Sequence, residues 1–420
     1  MIRRILVSAC LSTALLAPPV YAEEAVDPET LFNEAMRYRQ DGELFKSIEI
    51  FETILSNQPG LNRARLELAI SYHLTRRYQD AKDELTTVLN DPETPDEVKL
   101  SITAYLAQLS GDIKTAAQRS TSSMYISAGM FTDSNINLGP GKDITGVTPE
   151  TLEQSGSGGQ FMFTYSHRSR ASQALHMGGS IVDFEWHTQA TAFSRVYGSD
   201  DTDFNLSVLT LNTGPALIAE EKWRAALNFK IDKLIFGKED YAQYIGINPL
   251  ATYSITKDLE ITFENKTSIR EYDQPEDQGL RGTMTTWNID LAKFFERQSI
   301  GIQGGIRYHD NGAVDGTLHY TGAEYYLGGQ MPAWDDALAY LTASSRDYKY
   351  KAIDTANSFT EIRDETELLV VLGVSHDFRT GLLRSWTLNA QYTFTNNDSN
   401  IAETEYDRDT YALNMRRYFF

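Results

Sequence analysis

From about residue 119 to residue 420, apolar and polar positions alternate with a period of two. In WRAALNFKIDKLI, Trp223, Ala225, Leu227, Phe229 and Ile231 share one face, while Arg224, Asn228, Lys230 and Asp232 share the other. LEITFENKTSIR divides in the same way, with Leu259, Ile261 and Phe263 against Glu260, Thr262, Glu264 and Lys266. SWTLNAQYTF sets Trp386, Leu388, Ala390, Tyr392 and Phe394 against Thr387, Asn389, Gln391 and Thr393. Successive side chains of a strand point to opposite faces, so each segment reads as a strand with one apolar and one polar side. Fourteen such segments can be counted, at 124–135, 159–168, 173–186, 203–217, 222–235, 242–255, 259–271, 282–295, 298–309, 317–330, 336–349, 364–378, 384–395 and 407–420.

The connections sort into two kinds. Those at 169, 219, 256, 296, 332 and 379 are short, and those between them are mostly longer, such as 136–158 and 351–363. An even strand count with short turns on one rim and long loops on the other is the pattern of an antiparallel outer-membrane barrel. A soluble sandwich also alternates, but here the polar face is charged on nearly every strand. Trp223, Trp287, Trp386, Tyr165 and Tyr308 lie on the apolar face, where interfacial aromatics of a barrel belong. After residue 22 no apolar run approaches the roughly 18 residues of a spanning helix.

The front of the chain has a helical period instead, from Pro28 to about Leu109, and it repeats with an offset of 34 residues. Ala35 aligns with Ala69, Tyr38 with Tyr72, Ser47 with Ala81 and Phe51 with Leu85. That period and its small–large pattern resemble the tetratricopeptide repeat, and a further helix at 95–109 reads as a partial repeat or cap. Such repeats use a concave surface for peptides, and Phe32, Met36, Arg39, Arg63, Leu66, Ile70 and His73 are the residues expected on it. The polar stretch SGDIKTAAQRSTSS reads as a linker. The expected division is therefore a segment 1–22, a helical domain 23–118 and a barrel domain 119–420.

Composition narrows the function. Arg3 and Arg4, the apolar run Ile5–Ala17 and the small residues before Glu23 read as a secretory signal peptide. The chain's one cysteine, Cys10, falls inside it, so thiol and disulfide chemistry are not expected of the mature chain. A net charge of −20 argues against nucleic acid as a partner. No histidine pair has metal-ligand spacing. DSNINLG at 133 has Asp133, Asn135 and Asn137 at the alternate positions of a calcium loop, but its glycine comes one place late and Ile144 stands at the twelfth position. No catalytic set, metal or cofactor is expected, and the chain does not read as an enzyme. Arg168, Lys230, Asp232, Lys266, Arg270, Asp290, Arg307, Glu324, Glu365 and Glu367 would face the lumen and mix both signs.

The last strand, YALNMRRYFF, carries an internal conflict. With Tyr418 and Phe420 facing lipid, Arg416 would face it too, and Tyr411, Leu413 and Met415 would take the opposite phase. A bulge between Met415 and Tyr418 would reconcile them. Gly129 on the first strand weakens its partner, so the seam between first and last strands is expected to be loose and able to open sideways.

A signal peptide, a short tetratricopeptide-like front, DSNIN on the first strand and a fourteen-strand barrel together resemble the Slam family of surface lipoprotein assembly modulators. The resemblance implies an integral outer-membrane barrel with its helices in the periplasm, which helps export surface lipoproteins or secreted haem- and iron-scavenging proteins. It further implies outer-membrane lipid, a client protein, the barrel-assembly machinery and periplasmic chaperones as partners, with Phe420 as the terminal aromatic read during assembly. Polysaccharide export and passive diffusion through a barrel with a helical front are the alternative functions.

Overall fold

The computed structural model describes residues 27–116, 119–141, 152–171, 174–177, 179–199 and 201–420. The expected signal peptide, Cys10 and Ile144 lie outside the described residues. The chain divides between Ser110 and Gly111 into two compact units.

The helical unit contains α1 (Pro28–Gln40), α2 (Leu44–Asn57), α3 (Asn62–Leu74), α4 (Tyr78–Leu89) and, as far as Ser110, α5 (Asp96–Ala116). Helix-forming residues fill each element, and Gly42 at φ 79° breaks the chain between α1 and α2. The 34-residue repeat becomes the core: Ala35, Ala69, Ala81 and Phe51 are fully buried and Leu85 nearly so. Alanine at these sites lets the helices approach closely, and Phe32 meets Phe51 edge-on at 5.5 Å. Tyr72 donates to Glu52 at 2.6 Å, and burial together with that carboxylate pushes its phenol above the ordinary value. The linker reading needs correction. Most of that polar stretch is structured, because α5 runs to Ala116 and the first strand begins at Ser120. A fragment of residues 27–116 should give a helical circular dichroism spectrum in water; a β-rich spectrum would overturn the division into units.

The second unit is one closed antiparallel sheet. Its strands are β1 (Ser120–Asp133), β2 (Gly156–Arg170), the three-residue β3 (Leu175–Met177), β4 (Ser180–Tyr197), β5 (Leu206–Ala219), β6 (Trp223–Phe236), β7 (Glu239–Thr256), β8 (Leu259–Tyr272), β9 (Gly282–Phe295), β10 (Ile300–Asn311), β11 (Tyr320–Trp334), β12 (Ala337–Tyr350), β13 (Asp364–Asp377), β14 (Trp386–Ser399) and β15 (Tyr406–Phe419). β3 only folds back on the start of β4. The other fourteen form the wall, closed by β1 on β15 and by β2 on β4. The expected count is met. The third predicted strand is displaced, however, and runs to Tyr197 rather than stopping near 186. Its outward positions after Trp186 are Thr188, Ala190, Ala192, Ser194 and Val196, and the first four are too small to give a visible apolar stripe.

All six turns predicted as short lie at the rim where β1 starts. On the other rim most connections are longer, but β6 and β7 are joined by Gly237 and Lys238 alone, with Gly237 at φ 63°. Directly opposed residues of neighbouring strands share a face, so the register fixes both surfaces. Outside, Leu211, Phe229, Ile245, Phe263, Ile289, Ile306, Leu327, Leu372 and Leu413 stand exposed in a band around the barrel. The five expected interfacial aromatics are on this face. Such a surface is stable only against hydrocarbon, and a closed barrel leaves no backbone group unpaired there. The protein is an integral outer-membrane barrel.

Candidate functional site

The ten charged residues expected in the lumen all lie on the inward face. Most are neutralised in place. Lys230 pairs with Asp232 at 2.9 Å, Lys266 with Glu264 at 3.0 Å and Arg168 with Glu185 at 3.8 Å. The densest group surrounds Glu324 on β11, which is 2% exposed. It accepts from Arg307 Nη1 at 2.9 Å, and it meets His309 Nε2 at 2.9 Å and Arg346 Nη2 at 3.0 Å. Arg346 also lies 3.7 Å from Glu367, whose other oxygen accepts from Tyr406 on β15.

The seam between β1 and β15 is the second feature. Its register runs without a break from Met124 opposite Phe419 to Asp133 opposite Thr410, and the predicted bulge is absent. The phase conflict resolves differently. Tyr411, Leu413, Met415, Arg417 and Phe419 face outward in strict alternation, while Arg416, Tyr418 and Phe420 face the lumen. Arg417 is tolerated outside because its guanidinium lies over Phe419 at 4.9 Å and near Trp386 at 5.8 Å, close to the rim. The last lipid-facing aromatic of the strand is therefore Phe419, and the roles expected for Tyr418 and Phe420 on the lipid face are corrected. Tyr418 instead lies beside Tyr125, with ring centroids 4.8 Å apart and the rings tilted.

Gly129 tightens the seam rather than weakening it. A Cβ there would come within 2.1 Å of the Leu413 carbonyl oxygen and 2.3 Å of Asn414 Oδ1. The missing side chain lets Asn414 lie flat across β1, where it accepts from Gln160 Nε2 on β2 at 2.7 Å. One hydrogen bond thus spans three strands.

The DSNIN stretch closes the far end of the same seam. Asp133 is fully buried and takes a two-pronged contact from Arg408 on β15, Nε to Oδ1 at 2.9 Å and Nη2 to Oδ2 at 2.5 Å. Arg195 on β4 stands 3.7 Å away, and Tyr197 donates to Asp133 at 3.4 Å. Ser134 Oγ accepts from the Asp409 backbone, and Asn135 Nδ2 donates to the Asp407 carbonyl at 3.0 Å. Asn135 also braces its own turn through Gly139, and Asn137 holds the returning chain at Leu152 and Gln154. Ile136 packs with Phe131 and Tyr197. Every residue of the motif is spent on latching β1 to β15 and ordering the loop above it. Arg408, Arg195 and Tyr197 were not legible as partners, because each lies far from Asp133 in sequence.

In the helical unit, Phe32 is 3% exposed and belongs to the core, which corrects its placement on a binding surface. The exposed guanidinium of Arg63 covers its ring at 4.2 Å. Arg39 pairs with Glu67 at 2.6 Å and reaches Met36 Sδ at 3.2 Å, so α1 and α3 bring these residues together. Leu66 and Ile70 are half-buried on α3, and His73 Nδ1 lies 2.5 Å from the Tyr105 hydroxyl.

No family model matches the chain. Over 151 residues it is 27% identical to a protein of Pasteurella multocida (strain Pm70) described as a surface lipoprotein assembly modifier. The match takes in 35% of this chain and 28% of that protein, so the chain spans little more than a quarter of this relative's length. Among solved structures, Pseudomonas aeruginosa OpdQ aligns with 71% of this chain and 97% of its own at 8% identity and a TM-score of 0.36. A loop-deleted Vibrio cholerae OmpT aligns with 72% and 100% at 12% identity and a TM-score of 0.36.

Proposed function

We propose that this protein helps client proteins cross the bacterial outer membrane, the clients being surface lipoproteins or secreted haem- and iron-scavenging proteins. The observation that carries this reading is the 151-residue similarity to a surface lipoprotein assembly modifier, in a chain that joins paired helices to a fourteen-strand barrel. On this reading the helices lie in the periplasm and meet the client with periplasmic chaperones, and the barrel-assembly machinery inserts the barrel. Non-catalytic handling of a polypeptide fits a lumen most of whose charges are mutually neutralised. Deleting the gene from its host should leave at least one lipoprotein or haem-binding protein inaccessible to external protease, and the full chain should restore it. An unchanged surface proteome would overturn the reading.

The route can be tested in the same strain. Lateral passage would part the whole β1–β15 ladder, at about 1 kcal/mol per bond in water and more in lipid, besides the Asp133 latch. Export is therefore expected to persist when the seam is locked. Ala128 and Met415 are directly opposed on the outer face, whereas Asn414 points to the lumen and cannot serve. Cysteines at Ala128 and Met415 lie within disulfide reach. Export that stops on oxidation and returns on reduction would establish the seam as the route.

A further inference from the structure

Most lumen cations are held by carboxylates, Arg195, Arg224 and Arg408 among them, while Arg270 donates to the Gly312 carbonyl oxygen at 2.9 Å. Arg416 has neither kind of partner among the described residues. It projects inward from β15, opposite Ser127 on β1 and Thr387 on β14. Among the described residues it makes no ion pair, and its Nε is buried without a hydrogen-bond partner. It lines a lumen cavity of about 270 Å³ together with Tyr125, Ser127, Gln160, Asn389 and Asn414, and none of the residues lining that cavity is acidic. Tyr340 closes one side, with its ring laid against Gly373 and its hydroxyl donating to Gln391 at 3.1 Å.

A guanidinium whose Nε is shielded and which lacks a counter-charge favours an anion in the cavity it lines, and this chain has acids to spare at a net charge of −20. An arginine's fork of N–H donors matches a planar oxyanion, and the surrounding amides and hydroxyls can satisfy the atoms next to it. We propose that the cavity binds a small, singly charged carboxylate, with Arg416 as its counter-charge. One cation sets the charge. The volume, just below the roughly 300 Å³ at which drug-sized sites begin, sets the size. The inference concerns the barrel alone and stands apart from the export reading.

The probe is trifluoroacetate, titrated against the full-length folded barrel in detergent and read by fluorine-19 transverse relaxation. The wild-type barrel should broaden the signal, and acetate should reverse the broadening. Arg416→Gln should lower the protein-dependent broadening at least fivefold, and Arg416→Lys should retain part of it. Ser127→Asp places a carboxylate opposite Arg416 and should abolish binding by occupying the site internally, with unboiled gel migration confirming that each variant is folded. Broadening equal to wild type in Arg416→Gln or in Ser127→Asp would overturn the proposal. So would a wild-type signal that acetate fails to reverse, since that marks partition into detergent.

Discussion

Replacing Asp133 with alanine should lower the temperature at which the barrel loses its compact, unboiled gel mobility by roughly 10 °C. The substitution removes one small side chain, but it strands Arg408 and Arg195 on the inner wall and leaves the Tyr197 hydroxyl without its acceptor. Removing one partner of a buried ion pair costs about 3–5 kcal/mol, because the remaining charge stays desolvated. In a chain of this size each kcal/mol moves the midpoint by roughly 2–4 °C. Asp133→Asn keeps an acceptor and the turn contact to the Asn135 amide, so it should fall between alanine and wild type. A shift below about 2 °C for Asp133→Ala would remove the latch from the account of how the barrel closes.

Glu324→Ala should cost at least as much. This carboxylate faces Arg307, His309 and Arg346 at once and is the acceptor of Arg307 Nη1 at 2.9 Å. Arg346 keeps Glu367 at 3.7 Å and its contact with the Tyr348 hydroxyl, which limits the loss on that side. Changing Arg307 to Gln in the Glu324→Ala background should recover stability, because it removes the stranded charge as well as its partner. If the double variant is less stable than Glu324→Ala alone, the charge-stranding explanation fails. Asp133 and Glu324 share no direct partner, so their effects should add to within about 0.5 kcal/mol.

Much of this architecture was legible in the sequence because the membrane imposes a rule on every strand. Hydrocarbon outside and water inside force a period of two, and WRAALNFKIDKLI obeys it without reference to any other segment. The strand count, the rim bearing the short turns and the inward placement of ten charged residues all followed from that local rule. The segment around residues 187–197 escaped because alanine, serine and threonine on the outer face carry almost no periodic signal. In the helical unit, the 34-residue offset found the buried alanines, but it could not separate Phe32 in the core from a residue on the surface.

What the sequence determined by itself is the alternation, and hence a membrane barrel behind a helical repeat. What only the tertiary structure decided is which residues meet across the closing seam. Asp133 and Arg408 are 275 positions apart, and Gly129 meets Asn414 across a similar gap. Neither pairing leaves a mark in local periodicity, because the register of a closing strand is set by the whole barrel. The same closure fixed the phase of β15, put Phe419 rather than Phe420 toward lipid, and left Arg416 in the lumen without a carboxylate.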